Sequence, residues 1–93
     1  MIRSFADSET LHVWNRERSR KLPPDIQQRA MRRLTLLDAA IDLDDLGKLP
    51  GNRLHALKDD RVGQHSISIN SQWRICFVWK DGGADDVEIA DYH

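Results

Sequence analysis

The feature that most constrains the fold is a change of hydrophobic period near the middle of the chain. In the first half, apolar residues recur at intervals of four, four, three and four, at Ile26, Ala30, Leu34, Leu37 and Ile41. This spacing is typical of an amphipathic helix whose apolar stripe packs on a sheet. From residue 65 onward, apolar and polar residues alternate instead, which is the period of a β-strand. The chain is therefore predicted to be an α+β protein, with a helical half followed by an antiparallel sheet.

A further helix is predicted ahead of the stripe. Asp7 or Ser8 can cap it, and Leu11 and Trp14 lie on one of its faces. Pro23-Pro24 then interrupts the helix and restarts it, because proline suits a first helical turn and not an interior.

The second half predicts about three strands separated by turn residues. Turn chemistry occurs at residues 49–52, 70–72 and 81–83. Between these turns, Trp73, Ile75, Phe77 and Trp79 form the core-facing side of a strand, and 87–90 form the last one. The opening residues 2–5 are predicted to add to an edge of this sheet.

Size and charge limit the function classes. Ninety-three residues make one domain, predicted to span 1–93. The net charge of −1 gives no global basic excess, so nucleic-acid binding would need a local patch. A lone cysteine, Cys76, excludes an intramolecular disulfide and a cysteine-based zinc site. With no signal-like start and no long apolar run, we expect a cytoplasmic protein without a membrane span.

Arg74 is the most unusual residue of the predicted sheet. It stands between Trp73 and Ile75, so strand alternation directs it to the opposite face. A mid-strand arginine among apolar neighbours needs an anionic partner. That partner is either a ligand or a salt bridge to Glu88 or Asp91.

Titratable residues form a second candidate group. The chain ends in Asp91-Tyr92-His93, and His55, Lys58 and Arg61 precede the sheet. The last three also have simpler explanations. His55 could be a half-buried, hydrogen-bonded histidine, and Lys58 and Arg61 could lie on the loop surface, neutralised by Asp59-Asp60. A zinc site built from His55, His65 and His93 is disfavoured because no pair has the short spacing of metal ligands.

The ordered combination of these motifs resembles the HigB family of the RelE/ParE superfamily. The segments that carry the resemblance are Leu49-Pro50-Gly51, Leu54-His55-x-Leu57-Lys58-x-Asp60-Arg61-x-Gly63-x-x-Ser66, Asn70-x-x-Trp73-Arg74-Ile75-x-Phe77 and Asp91-Tyr92-His93. The chain departs from the family at Asp59, where glycine is common, and at His65, where an aromatic residue is common. The resemblance implies two N-terminal helices packed on a small, mainly antiparallel sheet.

The resemblance also implies a function. The family's members are toxins of type II toxin–antitoxin systems that cut mRNA on the ribosome without a metal or cofactor. Each is neutralised by a helix-turn-helix, HigA-like antitoxin. The toxin would contact operator DNA only through this antitoxin. The site residues carried over from the family's motif are His55 and His93 as acid–base groups, Asp91 and Tyr92 as their supports, and Lys58, Arg61 and Arg74 as phosphate contacts.

These residue types suit RNA cleavage. RNA carries its own nucleophile, the 2′-OH, so the protein needs a base, an acid and cations for the phosphorane. Histidine suits the proton transfers and arginine the phosphorane oxygens. Two alternatives stay open on the same fold: a ParE-like gyrase poison that cuts no RNA, and an inactive remnant that only binds its antitoxin.

Overall fold

The computed structural model describes residues 1–91, in which three α-helices precede a four-stranded sheet. The elements are α1 (Ser8–Trp14), α2 (Pro24–Ala39), α3 (Leu43–Gly47), β1 (His55–Ala56), β2 (Gln64–Ser68), β3 (Trp73–Lys80) and β4 (Gly83–Asp91), with 3-10 turns at Pro50–Asn52 and Asp59–Arg61. The strands pair antiparallel in the order β1-β2-β3-β4. The α+β prediction is confirmed, while α3 and the short β1 were not predicted. The helices described for residues 1–91 all fall short of the length and apolar character that a transmembrane span needs.

The opening residues add to the free edge of β4, as predicted. Ile2 bridges Ala84 and Phe5 bridges Val87, both in parallel orientation. The Ile2 N–H also donates to Asp38 Oδ1 at 2.9 Å, which ties the segment to α2. The sheet is thus mainly antiparallel with a parallel addition at one edge.

One hydrophobic core lies between α2 and the sheet. From α2 it contains Ile26, Ala30, Leu34 and Leu37, and from the strands Ile67, Ile75, Phe77, Val87 and Ile89. Trp73 and Trp79 are partly buried and pack at its margin. The predicted stripe and strand alternation are therefore confirmed, except at Ile41.

Ile41 is 81% exposed, because α2 ends before reaching it. Asp42 and Asp45 form a capping box that starts α3. Asp45 Oδ2 accepts hydrogen bonds from the Ile41 and Asp42 N–H groups at 3.0 and 3.2 Å. These bonds hold the pKa of Asp45 below its usual value. Assigning Ile41 to the stripe was wrong, because this cap turns the chain away from the helix axis.

Helix α1 begins as predicted and ends earlier. Asp7 caps it by accepting the Thr10 N–H at 2.7 Å. At its C-terminal end Arg16 has a left-handed φ of 62°. The Arg16 N–H bonds Val13 O, and the Glu17 N–H bonds the carbonyl oxygen of residue 12 at 2.8 Å. This is a Schellman arrangement, so the helix stops well before Pro23-Pro24 and the predicted role of those prolines as its interruption was wrong.

The buried face of α1 also differs from the prediction. Thr10 and Val13 are buried, whereas Leu11 is 40% exposed. Trp14 is partly buried and its ring lies 6.4 Å from that of Phe5. Leu11 and Trp14, predicted to share one face of α1, therefore differ: Trp14 packs against the core and Leu11 is exposed.

Thr10 links α1 to the sheet, and we expect its hydroxyl to matter for stability. Its Oγ1 accepts the buried N–H of Ile89 at 2.9 Å. Thr10→Val keeps the shape and leaves that N–H unpaired, which should lower the free energy of unfolding by about 1–3 kcal/mol. The same change at the exposed Thr35 is the control and should cost less than about 0.5 kcal/mol. Equal urea midpoints for the two variants would contradict this role of Thr10.

Candidate active site

A buried asparagine shapes the turn that leads into β1. Asn52 ends the turn Pro50–Asn52 and is fully buried. Its Nδ2 donates to Leu46 O at 3.1 Å, and its Oδ1 accepts from Arg33 Nη1 at 2.7 Å. The next residue, Arg53, has a left-handed φ of 45°, which non-glycine residues adopt only rarely. Asn52 thereby holds the backbone at the entrance to β1.

Strand β1 places His55 on the face of the sheet that points away from the helices. His55 pairs with Ser66, and Ala56 with His65. The ring of His65 stacks on the core residue Phe77, with centroids 6.3 Å apart. Because successive side chains alternate between faces, His55 lies on the other face, where it is exposed. His55 and His65 therefore cannot ligate one metal ion.

Arg74 lies on the same outer face as His55, which confirms its predicted direction. Its Nε donates to Ser66 Oγ at 2.7 Å, and its Nη2 donates to Arg53 O at 2.7 Å. Glu88, one of the two acids considered as its partner, instead binds Arg61. The guanidinium of Arg74 is thus aimed by a serine hydroxyl and by a backbone carbonyl.

These residues surround an open cavity of about 410 Å³. Its lining consists of His55, Ala56, Leu57, Lys58, Asp59, Ser66 and Arg74. Three of the predicted site residues therefore meet here: an imidazole, an ammonium and a guanidinium. This set can transfer protons and stabilise an anion.

Asp59 adds a carboxylate to the lining of this cavity. It follows Lys58 and has a left-handed φ of 59°. A glycine adopts such a conformation without the steric cost of a side chain. Asp59 therefore adopts this backbone at some steric cost and adds a negative charge to the cavity lining.

Arg61 is set back from the cavity lining. Its Nη1 donates to Gln64 Oε1 and to Glu88 Oε1, both at 3.1 Å. The hydrogen bond to Glu88 raises the pKa of Arg61. Beside it, Cys76 is buried with Leu57 and Ala90, and this burial raises the pKa of the thiol. Arg61, predicted as a phosphate contact, therefore does not line the cavity, whereas Lys58 and Arg74 do.

The C-terminal candidates begin at the end of β4. Asp91 pairs with Trp73 in the sheet, and its Oδ2 accepts from Gln72 Nε2 at 3.1 Å. Its neighbour Ala90 pairs with Arg74, so the strand ends next to the arginine. Tyr92 and His93 lie outside the described residues.

Sequence reasoning missed two residues that position Arg74. Ser66 stands in the quoted motif without an assigned role, although it shares the outer face with Arg74. Arg53 has no role in the sequence analysis, and it is its carbonyl oxygen that contacts Arg74. The alternation of β2 could have revealed Ser66, but no local signal predicts a left-handed arginine.

Comparison with known proteins identifies the family. A model of the RelE-like toxin of the type II toxin–antitoxin system HigB matches residues 3–93. The chain belongs to this family. Toxin HigB-1 of Vibrio cholerae is 41% identical over 68 residues, covering 73% of this chain and 72% of the relative. Endoribonuclease HigB of Proteus vulgaris is 31% identical over 93 residues, covering 100% of both.

Solved structures agree on the fold of this HigB-like toxin. A heterotetrameric YoeB–YefM toxin–antitoxin complex from Staphylococcus aureus contains a chain that matches with a TM-score of 0.59 at 14% identity, covering 100% of this chain and 98% of that one. A second YoeB–YefM complex from the same organism gives a TM-score of 0.56 at 13% identity, with the same coverage. At these identities the likeness concerns the fold, and it confirms the RelE-like architecture expected from the sequence.

Proposed function

We propose that this HigB-like toxin is an endoribonuclease that cuts translated mRNA on the ribosome. In the reaction, the 2′-oxygen attacks the adjacent phosphorus and loses its proton to a base. The bond from phosphorus to the 5′-oxygen breaks, and that oxygen takes a proton from an acid. The products are a 2′,3′-cyclic phosphate and a 5′-hydroxyl end.

The observation that carries the proposal is the convergence of His55, Lys58 and Arg74 on one cavity. We assign His55 one of the two proton transfers. Arg74 holds the scissile phosphate, because a planar guanidinium can bind two phosphate oxygens at once. Lys58 places a second positive charge near the negative charge that develops on the phosphorane oxygens.

The remaining roles rest on the family motif. His93 takes the second proton transfer, and Asp91 and Tyr92 support the histidines or the phosphate. Arg61 lies behind the cavity, where its pairing with Glu88 offsets much of its charge. A direct contact from Arg61 to RNA would require that pair to open.

The proposal extends to partners. With a net charge of −1, the toxin lacks the overall field that draws free RNA, so positioning of the mRNA by a ribosome would supply both encounter and orientation. We therefore propose that it acts in the cytoplasm, where the ribosomes are. A helix-turn-helix, HigA-like antitoxin would neutralise it and connect it to operator DNA. The two YoeB–YefM structures support an antitoxin partner in general terms.

The test is RNA-end mapping after expression without antitoxin, on transcripts that are translated and on matched transcripts that lack a start codon. We expect cuts only in the translated transcripts. Equal cutting of both would remove the ribosome from the proposal. Growth arrest with intact RNA and an induced DNA-damage reporter would favour the gyrase-poison alternative, and normal growth would favour the remnant.

Asp59 provides a test of the phosphate contact. Asp59→Asn removes the carboxylate from the cavity and keeps a residue that tolerates left-handed φ. We expect tighter binding of a non-cleavable RNA, by roughly two- to fivefold at low salt and less at high salt. Asp60→Asn, which removes the same charge from an exposed neighbour outside the cavity lining, should change the affinity less. An equal gain in both variants would indicate a general charge effect.

A further inference from the structure

A second basic pocket lies beside the candidate active site. It has a volume of about 260 Å³ and is lined by Arg29 of α2, Arg33 of α2, Arg53, and the polar residues Ser68, Asn70 and Ser71 around the β2–β3 turn. Within residues 1–91, none of the three arginines has a carboxylate in ion-pair distance. Three like charges that converge without a described ion-pair partner favour the binding of an anion.

The pocket is held in place by contacts inside the fold. Arg33 Nη1 donates to the buried Asn52 at 2.7 Å, so its guanidinium is fixed by a neutral partner and keeps its charge uncompensated. Gly51 leaves room for it: a Cβ there would stand 3.2 Å from Arg33 Nη2. The backbone of the turn and the arginine of α2 are therefore fitted to one another.

Arg53 contributes both to this pocket and to the cavity of the candidate active site. Its side chain lines the second pocket, while its carbonyl oxygen accepts the hydrogen bond from Arg74 Nη2. Ser68 likewise lines the second pocket and pairs with Arg74 across the sheet. The left-handed backbone of Arg53 thus directs its carbonyl oxygen to one site and its side chain to the other. Such sparsely populated conformations cluster at functional sites.

We infer that this arginine pocket, formed by Arg29, Arg33 and Arg53, binds a backbone phosphate of the substrate RNA next to the one that is cut. This inference rests on the proposed function. An RNA strand whose scissile phosphate lies against Arg74 would continue past Arg53 into the arginine pocket. Two held phosphates define the direction of the strand, which one alone does not.

The test measures binding of a short RNA carrying 2′-O-methyl groups throughout, so that cleavage cannot occur. Arg29→Gln removes one charge, and Arg53→Asn removes another with a residue that tolerates left-handed φ. Arg32→Gln is the matched control, since Arg32 is exposed on α2 and does not line the pocket. Fluorescence anisotropy between about 50 and 200 mM salt gives the affinity and its salt slope.

We expect Arg29→Gln and Arg53→Asn each to reduce the magnitude of the salt slope by about 0.7 and the affinity at about 50 mM salt by roughly five- to tenfold. Arg32→Gln should change the affinity by less than about twofold. A scan of single methylphosphonates, each removing one phosphate charge, should find one position that weakens wild-type binding and leaves Arg29→Gln unaffected. Thermal melting checks that all variants are folded.

Variants that match Arg32→Gln, or wild-type protein that does not bind the methylated RNA at this salt, would overturn the inference. So would the absence of coupling at every phosphate. In that last case, weaker cosedimentation of Arg29→Gln with ribosomes would identify ribosomal RNA as the source of the phosphate. The probe cannot be cut, so its binding is measured independently of cleavage. A wild-type protein that binds the probe as expected but cleaves no translated mRNA would refute the proposed function. The inference that the arginine pocket binds a phosphate would then still hold.

Discussion

Replacing Arg74 by alanine should lower the rate of mRNA cleavage by about two to three orders of magnitude. The loss is expected because the change removes the guanidinium that Ser66 and the Arg53 carbonyl aim into the cavity. The fold should survive, since the core lies on the other face of β3, where Ile75 and Phe77 are fully buried. Single-turnover cleavage on programmed ribosomes is the measurement, with circular dichroism to confirm the fold.

Two companion variants sharpen this prediction. Arg74→Lys should restore only part of the rate, because an ammonium cannot bind two phosphate oxygens in one plane. Ser66→Ala should cost less than Arg74→Ala, because the guanidinium remains and loses only one of the groups that position it. A folded Arg74→Ala protein that cuts at the wild-type rate would remove Arg74 from the active site.

His55→Ala should reduce cleavage by about 10²- to 10⁴-fold, the range expected for loss of a proton-transfer group. His55 is exposed, so its loss should change the free energy of unfolding by less than about 0.5 kcal/mol. His12→Ala is the matched control: this histidine is half-buried on α1 outside the cavity lining, and Glu17 raises its pKa through a hydrogen bond of 2.9 Å. Cleavage by the His12 variant should stay at the wild-type rate.

Deletion of His93 tests the second proton transfer in the same way. If His93 is the other acid–base group, the shortened toxin should no longer arrest growth when expressed without antitoxin. Asp91→Ala and Tyr92→Phe should give intermediate losses, because they remove support and leave both imidazoles. Cells that stop growing with their mRNA cut as by the full-length toxin would move the assignment away from His93.

The fold was predictable where periodicity and burial act together. The α2 stripe from Ile26 to Leu37 and the alternation of Ile75 and Phe77 both describe faces that the core covers. The prediction failed at Ile41, where the capping hydrogen bonds of Asp42 and Asp45 start α3 and end the α2 stripe. Apolar spacing alone does not encode where a cap will form, so it assigned Ile41 to the α2 stripe.

The candidate site, too, could be predicted from the sequence only in part. Alternation alone determined that Arg74 leaves the core face, because a strand has a period of two. The family motif singled out His55 and Lys58, but neither periodicity nor spacing says that they meet Arg74. That meeting depends on β1, a two-residue strand too short to have a periodic signal, which pairs His55 with Ser66.

The sequence by itself thus determined the fold class, the faces of α2 and β3, and the residue types available for chemistry, because these follow from local period and composition. Only the tertiary structure decided that Arg61 binds Glu88 behind the cavity, that the Arg53 carbonyl aims Arg74, and that three arginines share a second pocket. The physical reason is that each of these contacts joins segments distant in the chain. Their geometry is set by strand register and by the turn at the buried Asn52. Neither of these produces a periodic pattern in the sequence.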